Sequence, residues 1–185
     1  MTSPYFFGYG SLVNRATHAY ASAHTARITG WRRAWRHVEG RDVAFLTAVP
    51  DAETTIDGLI AAVPNADWQA LDVREAWYTR EIARDLTHQL EPAPEVHLYH
   101  APAALHRPAT VQHPVLLSYL DVVVQGYLTE FGEAGVTKFF DTTDGWEAPI
   151  RNDRDAPIYT RHQRLTVFES DLVDHHLARL GCRIF

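Results

Sequence analysis

The sequence predicts an α+β protein, with a small mixed or antiparallel β-barrel, flanking helices and a C-terminal helical extension. About six short strand-like segments surround one helical segment in the first hundred residues, a pattern typical of a sheet curled toward a barrel. Beyond Pro102 apolar residues recur every three or four positions, as in helices. We therefore expect the barrel over residues 1–110 and the helical extension, packed on it, over residues 111–185.

The first two segments have the patterns of β-strands. Residues 5–9 are aromatic and run into Gly8-Tyr9-Gly10-Ser11, which predicts a short buried strand followed by a tight loop. Residues 25–38 alternate so that Arg33 lies between two tryptophans on one face. This arrangement predicts a second strand.

Four further segments resemble strands. Residues 43–49 and 54–63 are apolar and partly β-branched, and Pro50-Asp51 between them predicts the turn of a hairpin. Residues 78–86 and 95–100 return to strand-like patterns after an interruption. Together these segments supply the remaining strands of the barrel.

The interruption is a predicted helix that opens near Asn65. Trp68, Leu71 and Glu75 are three and four positions apart, so in a helix they project from one face. Glu75 is therefore expected to point in the same direction as the apolar residues.

The C-terminal part predicts three helices. His113-Pro114 opens a strongly apolar stretch that ends at Gly132, with proline at its start and glycine at its end. A second short helix is predicted to hold Val136, Phe139 and Phe140. Ser170 is the predicted N-cap of a last helix, and Gly181 its stop.

Composition narrows the classes of partner. Seventeen Lys and Arg against 23 Asp and Glu give a net charge of −6, which argues against nucleic acid or anionic lipid as the partner. No apolar run approaches the roughly 18 residues of a membrane span. Cys182 is the only cysteine, so neither an intramolecular disulfide nor a cysteine-based zinc site is expected. These features favour a cytoplasmic protein.

Glu75 is the first candidate for chemistry. A carboxylate at a helix end beside Trp68 and Leu71 is expected to be partly desolvated, which raises its pKa and makes it a better base near neutral pH. The other interpretation is an ordinary surface ion pair with Arg74 or Arg80. The pattern alone leaves both open.

The loop Gly8-Tyr9-Gly10-Ser11-Leu12 is the second candidate. A glycine-rich turn at a strand end can direct backbone N–H groups to one point, where they hold a carboxylate or an oxyanion. The loop lacks the third glycine of a dinucleotide fingerprint and the lysine of a phosphate loop, so neither NAD nor ATP is expected. The alternative is a tight turn without a ligand.

Eleven histidines raise the question of a metal site. The densest group is His175-His176 with His162, but adjacent residues on a helix lie about 100° apart and do not easily share one ion. No His-Glu-x-x-His pattern is present. We expect no metal and no cofactor.

Three segments, in order, resemble the gamma-glutamylcyclotransferase-like family. Residues 5–12 are similar to its opening Tyr-Gly-Ser motif, and Gly30-Trp31-Arg32-Arg33 to its Gly-aromatic-x-Arg. Residues 71–80 resemble its Leu-Asp-x-x-Glu segment with Tyr-x-Arg after it. Ala76 departs from the glycine that many members have after the glutamate. The Arg-Gly-Thr segment of the glutathione-specific branch is absent, so that substrate is not indicated.

The resemblance implies a small β-barrel enzyme. It assigns binding of the glutamyl moiety to Tyr9, Gly10, Ser11 and Leu12, and the acid/base role to Glu75. The implied reaction is attack of the α-amine of a gamma-glutamyl compound on its own γ-carbonyl, which releases 5-oxoproline and an amine. The expected partner is thus a small gamma-glutamyl molecule.

Two alternatives stay open. One is a non-catalytic module on the same fold that binds a small carboxylate or a protein partner. The other is a metal hydrolase that uses the histidines.

Overall fold

A curled β-sheet forms a half-barrel with helices packed against it, which confirms the predicted α+β class. The structure is a computed structural model that describes residues 3–185, apart from the side chain of Arg74. The strands are β1 (Tyr5–Gly8), β2 (His24–Val38), β3 (Phe45–Ala62), β4 (Thr79–Ile82), β5 (Leu86–Thr87), β6 (Val96–His100), β7 (His106–Arg107), β8 (Val115–Leu116), β9 (Thr143–Asp144) and β10 (Ile150–Arg151). The α-helices are α1 (Trp68–Arg74), α2 (Leu117–Asp141) and α3 (Val167–Arg179).

The main sheet has the strand order β4-β6-β1-β3-β2-β5, and β7 and β9 also pair with β2. Strand β1 runs antiparallel to β3 and parallel to β6, so the sheet is mixed. Strands β8 and β10 form a separate parallel pair. The end of β1, where the glycine-rich loop begins, thus lies in the middle of the sheet.

The predicted hairpin with a turn at Pro50-Asp51 is wrong, because β3 is one continuous strand through these residues. Strand β2 pairs with β3 from His24 to Arg36, so β3 has an antiparallel partner on both sides of the proline. The ladder shifts register beside Gly30, whose φ of 91° suits glycine, and Pro50 lies at this irregularity. A proline without an N–H donor is tolerated there.

Helix α1 begins at Trp68, three residues after the predicted opening near Asn65. The Asp67 side chain caps it by accepting a hydrogen bond from the Ala70 N–H at 3.1 Å. Leu71 is buried, and the helix ends at Glu75, which is its C-cap residue. The helical stripe therefore turns inward as predicted.

The C-terminal helices differ from the prediction at their starts. Pro114 does not open α2; its carbonyl accepts the Ala44 N–H, β8 follows, and the helix begins at Leu117. Ser170 does not cap α3, because Thr166 and Glu169 form a capping box one turn earlier. The break at Gly132 is confirmed, with φ 66° and ψ −173°.

One hydrophobic core joins the sheet to the helices. It contains Phe7, Ile28 and Trp35 from the sheet, and side chains of α2 and α3, such as Tyr127 and Val173, in the same cluster. The core therefore crosses the boundary expected near residue 110. Among residues 3–185, no helix is both long and apolar enough to cross a membrane.

Candidate active site

A cavity of about 230 Å³ opens where the end of β1 meets the end of α1. It is lined by β1 with the glycine-rich loop, the start of β3 and the residue Arg41 before it, the end of α1, β6, α2 and the segment before α3. The residues that matter below are Gly8, Tyr9, Gly10, Ser11, Leu12, Glu75, Tyr78, Tyr99, Tyr119, Tyr159, Arg41 and Arg161. The structure thus brings Glu75 and all of Tyr9–Leu12 around one space, although they are distant in sequence.

Close packing explains both glycines of the loop. Strand β1 ends at Gly8, and a 3₁₀ turn over Ser11–Val13 follows. A Cβ atom at Gly8 would lie 2.6 Å from the Leu12 Cβ, and one at Gly10 would lie 2.8 Å from the Tyr119 hydroxyl. Neither position has room for a side chain in the present geometry.

Asn14 anchors the far end of the loop to α2. Its amide donates to the Val122 carbonyl at 3.0 Å and to the Gln125 Oε1 at 2.9 Å. Gly126 lets the backbones approach here, since a Cβ atom on it would lie 2.6 Å from the Asn14 nitrogen. Helix α2 therefore holds the loop.

Tyr9 is fixed through its hydroxyl. The hydroxyl donates to the Tyr99 carbonyl at 2.6 Å and accepts from the Ala48 N–H at 3.0 Å. Burial raises the pKa of Tyr9 well above its ordinary value. These two bonds fix the loop to β3 and β6. Because the hydroxyl is used in this way, Tyr9 would contact a ligand through its backbone.

The Tyr9 carbonyl is held from the opposite side by buried Arg33. Arg33 Nε donates to it at 3.3 Å, and the Tyr127 hydroxyl donates to it at 3.0 Å. Burial raises the pKa of Tyr127 to about 12, so its hydroxyl keeps its proton. Arg33 also donates to the Asp57 carbonyl and the Thr142 hydroxyl. Hydrogen bonds to these oxygens offset the cost of burying the charge. The alternation of β2 that the sequence predicts thus positions the loop.

Glu75 lies half-buried at the other side of the cavity. Its N–H donates to the Leu71 carbonyl at 3.0 Å, and its carbonyl accepts the Tyr78 N–H at 2.8 Å, so the helix end fixes its backbone. After burial, which is the largest cause, its charge contributes to raising the pKa of Tyr9, Tyr78 and Tyr119.

The surface ion pair considered for Glu75 involved Arg74 or Arg80. Arg80 pairs with Asp72 at 2.9 Å. The side chain of Arg74 lies outside the described residues, so that pairing stays a prediction.

Three of the tyrosines that line the cavity were not predicted from the sequence. Tyr99 and Tyr119 line the cavity from β6 and α2, and Tyr159 comes from the segment before α3. Tyr119 follows Leu116 by three positions, so the sequence does not distinguish it from the apolar stripe of its helix. Its place beside the loop depends on tertiary packing.

Two arginines also line the cavity, Arg41 and Arg161. The Arg41 guanidinium lies 5.3 Å from the centre of the Phe45 ring and 6.0 Å from that of Trp77. These cations give the cavity a charge opposite to that of Glu75.

The histidine group forms no metal cluster. The rings of His175 and His176 are 5.5 Å apart at 80°, and the His162 ring hydrogen-bonds the Tyr159 carbonyl. Across residues 3–185, no three His, Cys, Asp or Glu side chains are placed to hold one metal ion.

Comparison with known proteins identifies a family. The family described as Gamma-glutamyl cyclotransferase, AIG2-like, matches residues 6–115. No curated protein matches the sequence significantly.

Solved structures show the same fold at low sequence identity. A protein described as gamma-glutamyl cyclotransferase superposes with a TM-score of 0.56 and 14% identity, covering 94% of this chain and 99% of that one. An uncharacterized protein from Homo sapiens gives 0.56 and 14%, covering 92% and 97%. YkqA from Bacillus subtilis gives 0.56 and 17%, covering 78% of this chain and 57% of YkqA. At these identities the likeness concerns the fold.

Proposed function

Since the chain belongs to the gamma-glutamyl cyclotransferase, AIG2-like family, we propose that it is an enzyme that cyclises a small gamma-glutamyl compound. The α-amine of the substrate attacks its own γ-carbonyl, and the products are 5-oxoproline and a free amine. Because both reacting groups belong to one molecule, the substrate itself meets much of the cost of bringing them together. The enzyme needs neither a covalent nucleophile nor, on this proposal, a metal or cofactor.

The observation that carries the proposal is the shared cavity. Glu75 and the loop over residues 8–12 line the same space of about 230 Å³. That space suits a small molecule rather than a macromolecule. A carboxylate base and a loop that binds an anion are the two elements that the reaction requires.

We assign the glutamyl half of the substrate to the loop. Gly10, Ser11 and Leu12 lie at the start of a 3₁₀ turn, where N–H groups lack acceptors within the turn. Tyr9 contributes by fixing the loop, because its hydroxyl is bonded to Tyr99 and Ala48. The α-carboxylate of the substrate is the group that these donors fit.

We assign the proton transfers to Glu75. The carboxylate takes a proton from the α-ammonium, which frees the nitrogen lone pair for attack on the γ-carbon. When the tetrahedral intermediate collapses, the bond to the leaving nitrogen breaks and Glu75 returns the proton to it. One carboxylate therefore serves as base and then as acid.

The experiment is an incubation of the purified protein with gamma-glutamyl amino acids, amines and peptides. We expect at least one to yield 5-oxoproline and the free amine in equal amounts. Binding of the compounds without any product would instead support the non-catalytic module. Release of glutamate that stops on chelation and returns with a divalent ion would support the metal hydrolase. Either result would overturn the proposal.

A further inference from the structure

Three tyrosine hydroxyls around the cavity already donate to protein acceptors. Tyr9 donates to the Tyr99 carbonyl at 2.6 Å, Tyr78 to the Leu46 carbonyl at 2.9 Å, and Tyr99 to the Asp72 carboxylate at 2.6 Å. A phenol has one proton to donate. None of these three is available to a ligand while its bond is kept.

Tyr119 is different, because its hydroxyl lies beside the loop in the lining of the cavity. The same oxygen lies against Gly10, at 2.8 Å from where a Cβ atom would stand. In the part of the chain that the structure describes, no acceptor receives the Tyr119 proton.

The Tyr119 ring is held in place by its neighbours. It packs edge-on against Trp35 at 5.8 Å and against Tyr159 at 5.0 Å between ring centres. Trp35 is buried in β2. These ring contacts hold the hydroxyl beside the loop, in the lining of the cavity that Glu75 also lines.

Burial raises the pKa of Tyr119 well above its ordinary value, and the nearby charge of Glu75 adds to the effect. The phenol stays neutral at physiological pH and keeps its proton.

We propose that Tyr119 is a catalytic residue whose hydroxyl donates a hydrogen bond to the γ-carbonyl oxygen of the substrate as that oxygen becomes negative. This inference rests on the proposed function and extends it. It places a residue of the reaction outside residues 6–115, the part that matches the family.

The step balances without any further reactant. As the amine nitrogen bonds to the γ-carbon, the π electron pair of the carbonyl moves onto oxygen, and the Tyr119 hydroxyl stabilises that charge without giving up its proton. The pair then returns to re-form the carbonyl of 5-oxoproline, and the bond to the departing nitrogen breaks. Because the donor is already in position, stabilising the charge requires no reorganisation of the site.

The test is Tyr119→Phe, measured on the substrate that the wild-type protein turns over best. Loss of one oxyanion donor typically costs about 10²–10³ in kcat. We expect a loss of this size with KM within a few-fold of wild type, and unchanged binding of 5-oxoproline by calorimetry. Tyr5→Phe removes a hydroxyl from β1, outside the cavity lining, and should keep wild-type kcat.

Two results would overturn the role of Tyr119. A folded Tyr119→Phe protein with near-normal kcat is one. The other is a rise in KM and weaker 5-oxoproline binding at unchanged kcat, which would make Tyr119 only an anchor of the loop. A wild-type protein that forms no 5-oxoproline would instead refute the proposed function.

If Phe disturbs the fold, as thermal unfolding would show, 3-fluorotyrosine at position 119 is the second variant. It keeps the hydroxyl but is more acidic. Because it keeps a neutral phenol and is the stronger hydrogen-bond donor, kcat should stay within a few-fold of the wild-type value or rise. A fall of kcat by about 10²–10³ in this folded variant would contradict the proposal.

Discussion

The space beside the Gly10 α-carbon is occupied by the Tyr119 hydroxyl, so Gly10→Ala forces one of them to move. The added methyl group would lie 2.8 Å from that oxygen and 3.7 Å from the Leu46 Cδ2. A misplacement of about 1 Å in an active site can cost 10²-fold in rate. We expect kcat/KM to fall about 10–100-fold while the melting temperature falls by only a few degrees.

Gly30→Ala is the matched control for this substitution. Gly30 has a φ of 91° and open space at the Cβ position, so alanine there adds backbone strain without entering the cavity. It should lower stability and leave activity unchanged. If Gly10→Ala kept full activity, the loop would not need its close approach to Tyr119.

Glu75→Gln keeps the size of the side chain but removes the proton carrier. General acid/base groups are typically worth about 10²–10⁴ in rate, and we expect turnover to fall by that factor. Glu81→Gln, on an exposed residue that pairs with His100, should behave as wild type. A folded Glu75→Gln protein with near-normal turnover would show that the assignment is wrong.

Helix α1 is tied to the sheet by one carboxylate. Asp72 accepts from the Tyr99 hydroxyl at 2.6 Å and pairs with Arg80 in β4 at 2.9 Å. The Tyr99 hydroxyl, and then Arg80, hold the pKa of Asp72 below its ordinary value. Because Glu75 ends the same helix, this tie also positions Glu75.

The tie predicts a pH-dependent effect of Asp72→Asn. A depressed folded pKa contributes stability above the unfolded pKa of about 3.9, and this stability is lost as pH falls through the folded pKa. We expect the variant to lose about 0.5–1 kcal/mol near pH 7, after allowing for solvent screening, and the difference to close below pH 4. A gap that is constant with pH in thermal unfolding would contradict this.

The sequence predicts the elements better than their boundaries. Alternation in β2, the inward stripe of α1 and the break at Gly132 are local signals, and the structure confirms them. The turn at Pro50-Asp51 is wrong because a long neighbouring strand overrides local turn preference. Ser170 was a weaker cap than Thr166, whose Glu169 partner completes the box.

In the candidate site, too, the residues of local motifs were predicted and those placed by tertiary packing were not. Glu75 and the loop of residues 8–12 are local motifs, and the sequence names them before the structure places them around one cavity. Tyr119, Tyr159 and Arg161 reach that cavity only through the packing of α2 and the segment before α3. The periodicity of those segments does not indicate which distant loop they contact.

Across the whole molecule, the helical part completes the core of the sheet. Leu120, Val123, Tyr127, Phe139 and Phe140 are almost fully buried in the shared cluster. Burial of each such side chain contributes about 1.5–3 kcal/mol, so the five together are comparable with the 5–15 kcal/mol that stabilises a typical domain.

We therefore expect the chain cut after residue 115 not to fold on its own. It would lose those side chains and also the hydrogen bonds that Tyr127 and Thr142 make with buried Arg33. Circular dichroism and thermal unfolding of the fragment should show no cooperative transition. A cooperative transition would mean that the first 115 residues form an independent unit.

The central claim is intramolecular cyclisation, and the most direct test follows oxygen from the solvent. The wild-type protein is incubated with a gamma-glutamyl compound in water enriched in oxygen-18, and the masses of the products are measured by mass spectrometry. A sample without protein is the control. Attack by the substrate's own amine predicts 5-oxoproline without the label. Glutamate carrying one labelled oxygen in its γ-carboxyl group would show that water attacks instead, and would contradict the account.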